Sequence, residues 1–402
     1  MNYIFLLLTA LFSITTNPGE DTRTQMNISW GADASTVSSF VMYAPEKSDW
    51  SKALRADAEG RYCAVYNNIS SKKADGSNFY EDARFFKYNL YLNALKPKTS
   101  YKYRVYAVSA DGDTSVSDIC RFKTSGSRVW QACIISDYHS YPPLPKRLDA
   151  AMGIMDRIEN RYGYDWVVSL GDVCAWGGSY SFWKGMYEQR QFRDYMWGGV
   201  NGNHDNMTRN YLLTNDFFRN ATANPLNGYD GEEGVCYWFK YNDALFIMLN
   251  NENMRDSSGF AKAAAWTEKV LEANRDARYK IVCEHYQWFF GTRGETSQYG
   301  RWHEIFEKYG VDLALAGNNH IYVRAHSNGV TYIQTPSSDN ERGQDPVEPL
   351  AANQDKIDFR WNEGPHTVGA MHMKVTPARM ELKLLDREGN VIDRVIVPSR
   401  KR

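Results

Sequence analysis

Net charge is nearly absent from this chain: 47 lysines and arginines face 48 aspartates and glutamates, a formal balance of -1 over 402 residues. Electrostatic capture of DNA or RNA needs a basic stripe, and none stands out, so no nucleic-acid partner is expected. Sustained apolar runs are scarce too. The one exception, Tyr3 to Ile14, falls short of the roughly 20 residues that cross a bilayer, so no stable membrane span is expected. That run, followed by Thr15, Thr16, Asn17 and Pro18-Gly19, suits the core of a signal peptide over residues 1–20, although no Lys or Arg precedes it. The competing reading is a buried first strand. Export would make the protein secreted or periplasmic. No cysteine ends the run, so a lipoprotein anchor is not suggested, and six cysteines in a chain this long do not demand disulfides. Internal repeats are missing, and nothing in the sequence speaks to oligomeric state.

Aromatic residues are plentiful at 14%, with 12 Trp and 27 Tyr, which fits β-rich packing. At this length the chain can hold two domains. Over residues 21–126 the alternating runs Met26 to Trp30, Ser39 to Tyr43, Gly60 to Tyr66, Phe86 to Leu92 and Tyr101 to Val108 predict short antiparallel strands. Ser125-Gly126-Ser127 reads as a linker. Over residues 127–402 the apolar runs Ala132 to Ser136, Trp166 to Leu170, Met196 to Val200, Lys280 to Cys283 and Val311 to Ala316 read as strands buried on both faces. Helical spacing marks Lys146 to Arg161, Tyr180 to Asp194 and Phe260 to Ala277. Strand patterns return after Gly317. The sum predicts an all-β sandwich followed by an α/β domain, a two-sheet sandwich flanked by helices. Asp339 to Asp358 reads as a long solvated surface loop.

Five short motifs follow the buried runs in order: Asp137-Tyr138-His139, Gly171-Asp172, Gly202-Asn203-His204-Asp205, His285, and Gly317-Asn318-Asn319-His320. Each alone is weak, since a Gly-Asp pair is commonly a turn and a lone His a packed core residue. Together they supply carboxylate, amide oxygen and imidazole groups at strand ends, the donor set that hard and borderline divalent ions take. A paired site needs one shared carboxylate, and Asp172 is the natural bridge.

From about Arg128 to Val397 the chain resembles the calcineurin-like metallophosphoesterase superfamily, and in particular its purple acid phosphatase branch. Gly202-Asn203-His204-Asp205 and Gly317-x-x-His320-x-Tyr322-x-Arg324 carry the resemblance. Upstream, Leu95-x-Pro97-x-Thr99-x-Tyr101-x-Tyr103-x-Val105 is similar to the corner and following strand of fibronectin type III-like domains, which that branch often carries ahead of its catalytic domain. The resemblance implies a first metal among Asp137, His139, Asp172 and His320, and a second among Asp172, Asn203 and His285, with Asn318 at the remaining position. It implies a phosphomonoester or phosphodiester hydrolase working by metal-hydroxide attack, with His204 as general acid and Asp205 holding its ring. The cofactors implied are two divalent or mixed-valence ions, iron, zinc or manganese, the second the weaker. The substrate is a small phosphoester or a phosphorylated glycan, with Arg293 and Tyr322 as candidate substrate contacts.

Three positions depart from the branch. Ala175 stands where a metal-binding Tyr usually gives the purple colour, so no charge-transfer band is expected. His139 follows the first Asp as in non-purple members. Asn318 replaces an imidazole, and three outcomes stay open: a site for a harder ion, one tight ion with one weak, or a degenerate binding protein.

Overall fold

The computed structural model describes residues 11–72, 78–142, 145–207, 216–289, 298–339 and 351–400. The first domain is a sandwich of nine strands: β1 (Leu11–Pro18), β2 (Met26–Asp33), β3 (Thr36–Pro45), β4 (Leu54–Ala58), β5 (Gly60–Lys72), β6 (Asn78–Leu92), β7 (Ser100–Ser109), β8 (Thr114–Val116) and β9 (Cys120–Lys123). One sheet runs β1-β2-β6-β5 and the other β4-β3-β7-β8, with β9 on β7. Along β7, Tyr101, Tyr103, Val105 and Ala107 point inward while their neighbours reach the surface, the period-two pattern of a half-buried strand. Tyr101 Oη accepts from Lys96 N at 2.9 Å and locks the corner before this strand.

The N-terminal boundary needs correction. Leu11–Pro18 is a strand paired antiparallel with β2, from Leu11 opposite Ala32 to Pro18 opposite Met26. Cleavage after residue 20 would remove it. The apolar run thus supplies, at least from Leu11 on, the buried first strand that was its competing reading. An apolar run with hydroxyl residues suits both, because a strand edge and a leader core ask for the same side chains.

The second domain holds β10 (Trp130–Ile135), β11 (Trp166–Ser169), β12 (Met196–Gly199), β13 (Tyr237–Tyr241), β14 (Ala244–Met248), β15 (Tyr279–Cys283), β16 (Leu313–Ala316), β17 (Tyr322–Ser327), β18 (Val330–Gln334), β19 (Ile357–Trp361), β20 (Gly369–Val375), β21 (Arg379–Asp386) and β22 (Val391–Pro398). Two mixed sheets face each other, ordered β12-β11-β10-β20-β21-β22 and β13-β14-β15-β16-β18-β17-β19. Helices α1 (Lys146–Tyr162), α2 (Tyr180–Tyr187), α3 (Arg190–Arg193), α4 (Asp216–Ala221), α5 (Ser257–Ala273) and α6 (Tyr299–Tyr309) complete it. The predicted helix over Tyr180 to Asp194 is two, interrupted at Glu188-Gln189.

Alternation inside the apolar strands sorts their side chains. Ala132, Ile134, Val168, Leu170, Ile281 and Leu315 enter the core between the sheets, while Cys133, Ile135 and Val167 lie under α1 and α2, and Leu245, Val282 and Ala314 under α5 and α6. Both faces are therefore dry, which is why these strands read as unbroken apolar runs. From α1, Leu148, Ala151, Met152, Met155 and Ile158 form the buried stripe; truncating Ile158 to Ala costs about 2–5 kcal/mol. Of the surface loop predicted over 339–358, residues 340–350 lie outside the described residues, Ala351–Lys356 is a 3-10 helix, Ile357–Trp361 is a strand, and Asp339 is fully buried.

The two domains are sewn together along β12, the strand that leads into Gly202-Asn203-His204. Asn17 Nδ2 donates to Trp197 O at 2.9 Å, Trp197 Nε1 donates to Thr15 Oγ1 at 3.0 Å, and Thr15 Oγ1 reaches Phe192 O at 3.1 Å. Nearby, Ala223 N donates to Asn17 Oδ1 at 2.9 Å and Asn27 Nδ2 to Ala223 O at 2.7 Å. Among the described residues no helix is long and apolar enough to cross a membrane.

Candidate metal centre

The five motifs meet where β10, β11, β12, β15 and β16 end. Their backbones are strained at the meeting point: Asp137, His139, Asp172, Asn318 and His320 have φ of +51°, +40°, +50°, +70° and +56°. Each such turn costs about 1–2 kcal/mol for an L-residue, so the surroundings must impose it. They do so by stitching the loops to one another. Asp137 N donates to Gly171 O at 3.1 Å, His139 N to Asp172 O at 3.0 Å, and Gly317 N to His285 O at 2.9 Å. Asn318 N donates to Asp137 Oδ2 at 3.0 Å and His204 N to Asp172 Oδ1 at 2.9 Å. Glycine is required where loops touch: a Cβ on Gly202 would lie 2.2 Å from Asp172 N, and one on Gly317 would lie 2.1 Å from Ser136 Oγ.

Ligand atoms converge at spacings that suit an ion. His139 Nε2 to Asp172 Oδ2, His285 Nε2 to Asp172 Oδ1, and His320 Nε2 to Asp137 Oδ1 are each 3.3 Å, and His285 Nε2 to Asn203 Oδ1 is 3.2 Å. Two donors each ~2.0–2.1 Å from one ion stand ~3.0–3.4 Å apart, so these pairs match a shared cation. Three groups of donors lie within 4.8 Å of one another: Asp137, His139 and His320; His139, Asp172 and His204; and Asp137, Asp172 and His285. Asp172 presents one oxygen to His139 and the other to His285, the arrangement of a bridge. Asp137 Oδ1 is buried with no hydrogen-bond partner of sound geometry, as an oxygen reserved for a cation would be.

Electrostatics agree. Burial opposes charge on the carboxyl of Asp172, yet His285 and His204 beside it hold it well below the usual carboxylate range. Burial likewise disfavours a protonated His285, but Asp172 and Asp137 push it up to about 10. Two buried carboxylates facing one imidazole favour positive charge at that spot.

His204 is the most open of these histidines, with 18% of its side chain exposed. Its Nδ1 lies 2.9 Å from the carbonyl of Ala175, and its Nε2 lies 4.0 Å from Asp172 Oδ2. The Trp176 ring stands edge-on to it, 6.4 Å between centroids. Asp205 does not hold the ring, contrary to the sequence reading. Its Oδ1 accepts from Cys174 N at 3.0 Å and its Oδ2 from Gly202 N at 2.9 Å, so it fastens two ligand loops together. Burial and the charge of Asp172 raise this carboxyl to about 7.

Two family models match the chain, one described as the purple acid phosphatase N-terminal domain over residues 12–124 and one as calcineurin-like phosphoesterase over residues 132–322. A purple acid phosphatase N-terminal domain thus precedes a calcineurin-like phosphoesterase domain in this chain. Uncharacterized proteins of two Mycobacterium tuberculosis strains are 23% identical over 342 residues, 77% of this chain; the chain spans about 61% of the length of these relatives. Among solved structures, the yellow lupin seed purple acid phosphatase PPD1 superimposes with a TM-score of 0.75 at 16% identity, covering 97% of this chain and 74% of that one. A structure of PhoD gives 0.62 at 12% identity, covering 99% and 90%. GAP50, the anchor in the inner membrane complex of Plasmodium, gives 0.52 at 16%, covering 69% and 90%. At such identities the likeness is one of fold.

The two substrate contacts read from sequence fare differently. Tyr322 lies in the core between the sheets, where strand alternation sends it, and its hydroxyl donates to Asp393 at 2.9 Å; it is a packing residue. Arg293 falls outside the described residues. Asn318 has its Nδ2 bonded to the buried Gln287 Oε1. Cys133 and Cys283 are buried thiols pushed up by burial, and no disulfide forms among the described residues. Sequence reasoning missed Asn251, whose Oδ1 accepts from both His285 N and Tyr286 N at 2.8 Å, and Asp339, 3.4 Å from His139 Nδ1. No motif marks either one, since an Asn or Asp far along the chain has no local signal.

Proposed function

We propose that the chain is a metal-dependent phosphoesterase cleaving a phosphomonoester or phosphodiester at this centre. The single observation that carries the reading is Asp172, with one oxygen 3.3 Å from His139 and the other 3.3 Å from His285. Asp137, His139, Asp172 and His320 would hold one ion, and Asp172, Asn203, His285 and Asn318 the other, with iron, zinc or manganese suited to the mixed donor set. Bound there, such ions supply a water nucleophile at neutral pH and offset charge developing on phosphorus. His204 protonates the leaving oxygen. With Nδ1–H committed to Ala175 O, the proton on Nε2 of the imidazolium is the one it gives up. Asp205 keeps Gly202 and Cys174 together, and so keeps His204 aimed.

On this reading the enzyme acts outside the cytoplasm on a small phosphoester or phosphorylated glycan. The second reading is a non-catalytic binding protein on the same fold. Asn318 favours it, because an amide is a poorer donor than imidazole toward zinc-like ions. One experiment separates the two: metal content of the purified protein, with phosphate release from a panel of mono- and diesters before and after chelation. The expected outcome is bound metal and turnover that chelator abolishes. Bound metal with no turnover on any ester supports the binding protein.

A further inference from the structure

We propose that Asp339 is a positioning residue for His139, fixing which ring nitrogen faces the ion. The inference rests on the reading of His139 as a ligand. Both side chains are fully buried, and Asp339 Oδ2 lies 3.4 Å from His139 Nδ1 while His139 Nε2, across the ring, lies 3.3 Å from Asp172 Oδ2. An imidazole placed between two carboxylates has a choice of tautomer. A carboxylate at Nδ1 makes that nitrogen the protonated one, which leaves the Nε2 lone pair for a cation and strengthens it as a donor.

The carboxylate is itself held in place. Asp339 N donates to Ser337 Oγ at 3.0 Å, and the same hydroxyl donates to Asp137 O at 2.7 Å. Ser338 N donates to Ser136 O at 2.9 Å. The turn bearing Asp339 therefore moves with the loop that bears Asp137 and His139. Arg147, from the first turn of α1, places its Nε 3.5 Å from Asp339 Oδ2 and its guanidinium 5.6 Å from the Tyr141 ring. Arg147 is thus the cation beside this third buried carboxylate.

Asp339→Asn tests this, because it keeps the shape and removes the charge. The full-length wild type, Asp339→Asn, His139→Ala and the double variant are stripped of metal and titrated with zinc, and separately manganese, in competition with a chelator. Thermal melting of the metal-free proteins is recorded alongside. Asp339→Asn is expected to weaken the tighter ion by roughly 10- to 100-fold, to leave the other within about threefold, and to add nothing to His139→Ala. Wild-type affinity for both ions in Asp339→Asn overturns the proposal. So does an equal loss in the His139→Ala background, or a fall in metal-free melting temperature with affinity unchanged, which marks a purely structural role. A wild type that binds ions yet cleaves no ester sinks the functional reading and leaves this comparison intact. A wild type that binds none overturns both.

Discussion

Gly202→Ala is the sharpest test of the centre's geometry. A Cβ built at this position lies 2.2 Å from Asp172 N, 2.3 Å from Asp172 Oδ1 and 3.0 Å from Asp172 Cα. These are backbone atoms and a pinned carboxylate, not the end of a flexible chain, so relief requires about 1 Å of loop movement. Ordinary overpacking of this kind costs about 1–3 kcal/mol of stability. The larger effect falls on function, because His204 N is bonded to Asp172 Oδ1 and both belong to the loops that must separate. A misplacement of about 1 Å costs on the order of 100-fold in rate, and the ion bridged by Asp172 should weaken as well. Metal content, kcat/KM at saturating metal, and melting temperature would be measured together. Gly153→Ala is the control: it sits within α1 with nothing inside 4 Å of its Cβ, and should stabilise by about 0.5–1 kcal/mol with activity unchanged. Gly202→Ala with wild-type metal content and turnover would refute the geometry.

His204→Ala should depress turnover of esters with poor leaving groups by roughly 100- to 10,000-fold and spare activated aryl esters; equal losses on both would assign it a positioning role. His372, buried, beside Lys383 and stacked on Tyr162, has its pKa lowered from 6.5 to about 4. Its contribution is full above pH 6.5 and is lost as pH falls toward 4, so relative to His372→Gln the wild type should lose on the order of 1 kcal/mol between pH 7 and pH 4.5 by denaturant unfolding; a constant gap would contradict this. A chain beginning at Ser127 strips the partners of Trp197, Phe192 and Ala223, about five hydrogen bonds worth on the order of 4–5 kcal/mol together. It should melt well below the full chain, and a melting temperature within a few degrees would show that the first domain is dispensable for stability.

Much of the centre was legible because its chemistry is local. A strand buried on both faces announces itself as an apolar run, and a ligand loop must begin where that run stops, so Asp137, Asp172, Asn203, His285 and His320 could be placed on strand ends without any structure. The pairing of distant side chains was not legible. Asp205 follows His204 directly, which suggested a partner for its ring, but the turn over His204–Asn206 sends the two side chains apart and gives Asp205 to the backbone of Cys174 and Gly202. Tyr322 shares a motif with His320, yet it opens β17 and lies on the face of that strand that turns into the core. Asp339 lay in a segment rich in charge and was assigned to solvent, because composition averages over a segment whose first residue is buried.

The replacement at Asn318 is best understood through charge. Asparagine and histidine are both neutral ligands, so exchanging one for the other leaves the charge of Asp137 and Asp172 to be balanced as before. What changes is the donor atom. Nδ2 is engaged by Gln287 Oε1, and the donor an amide brings to a cation is its carbonyl Oδ1, the same kind of atom as Asn203 Oδ1 beside His285. On the proposed assignment the second position would pair one imidazole with two amide oxygens and a carboxylate, against two imidazoles and two carboxylates at the first. Oxygen-rich sets favour harder ions. On our reading the two positions differ in which metal they prefer before they differ in whether they bind, and a site with unlike ions is the consequence of one amide standing in for one ring.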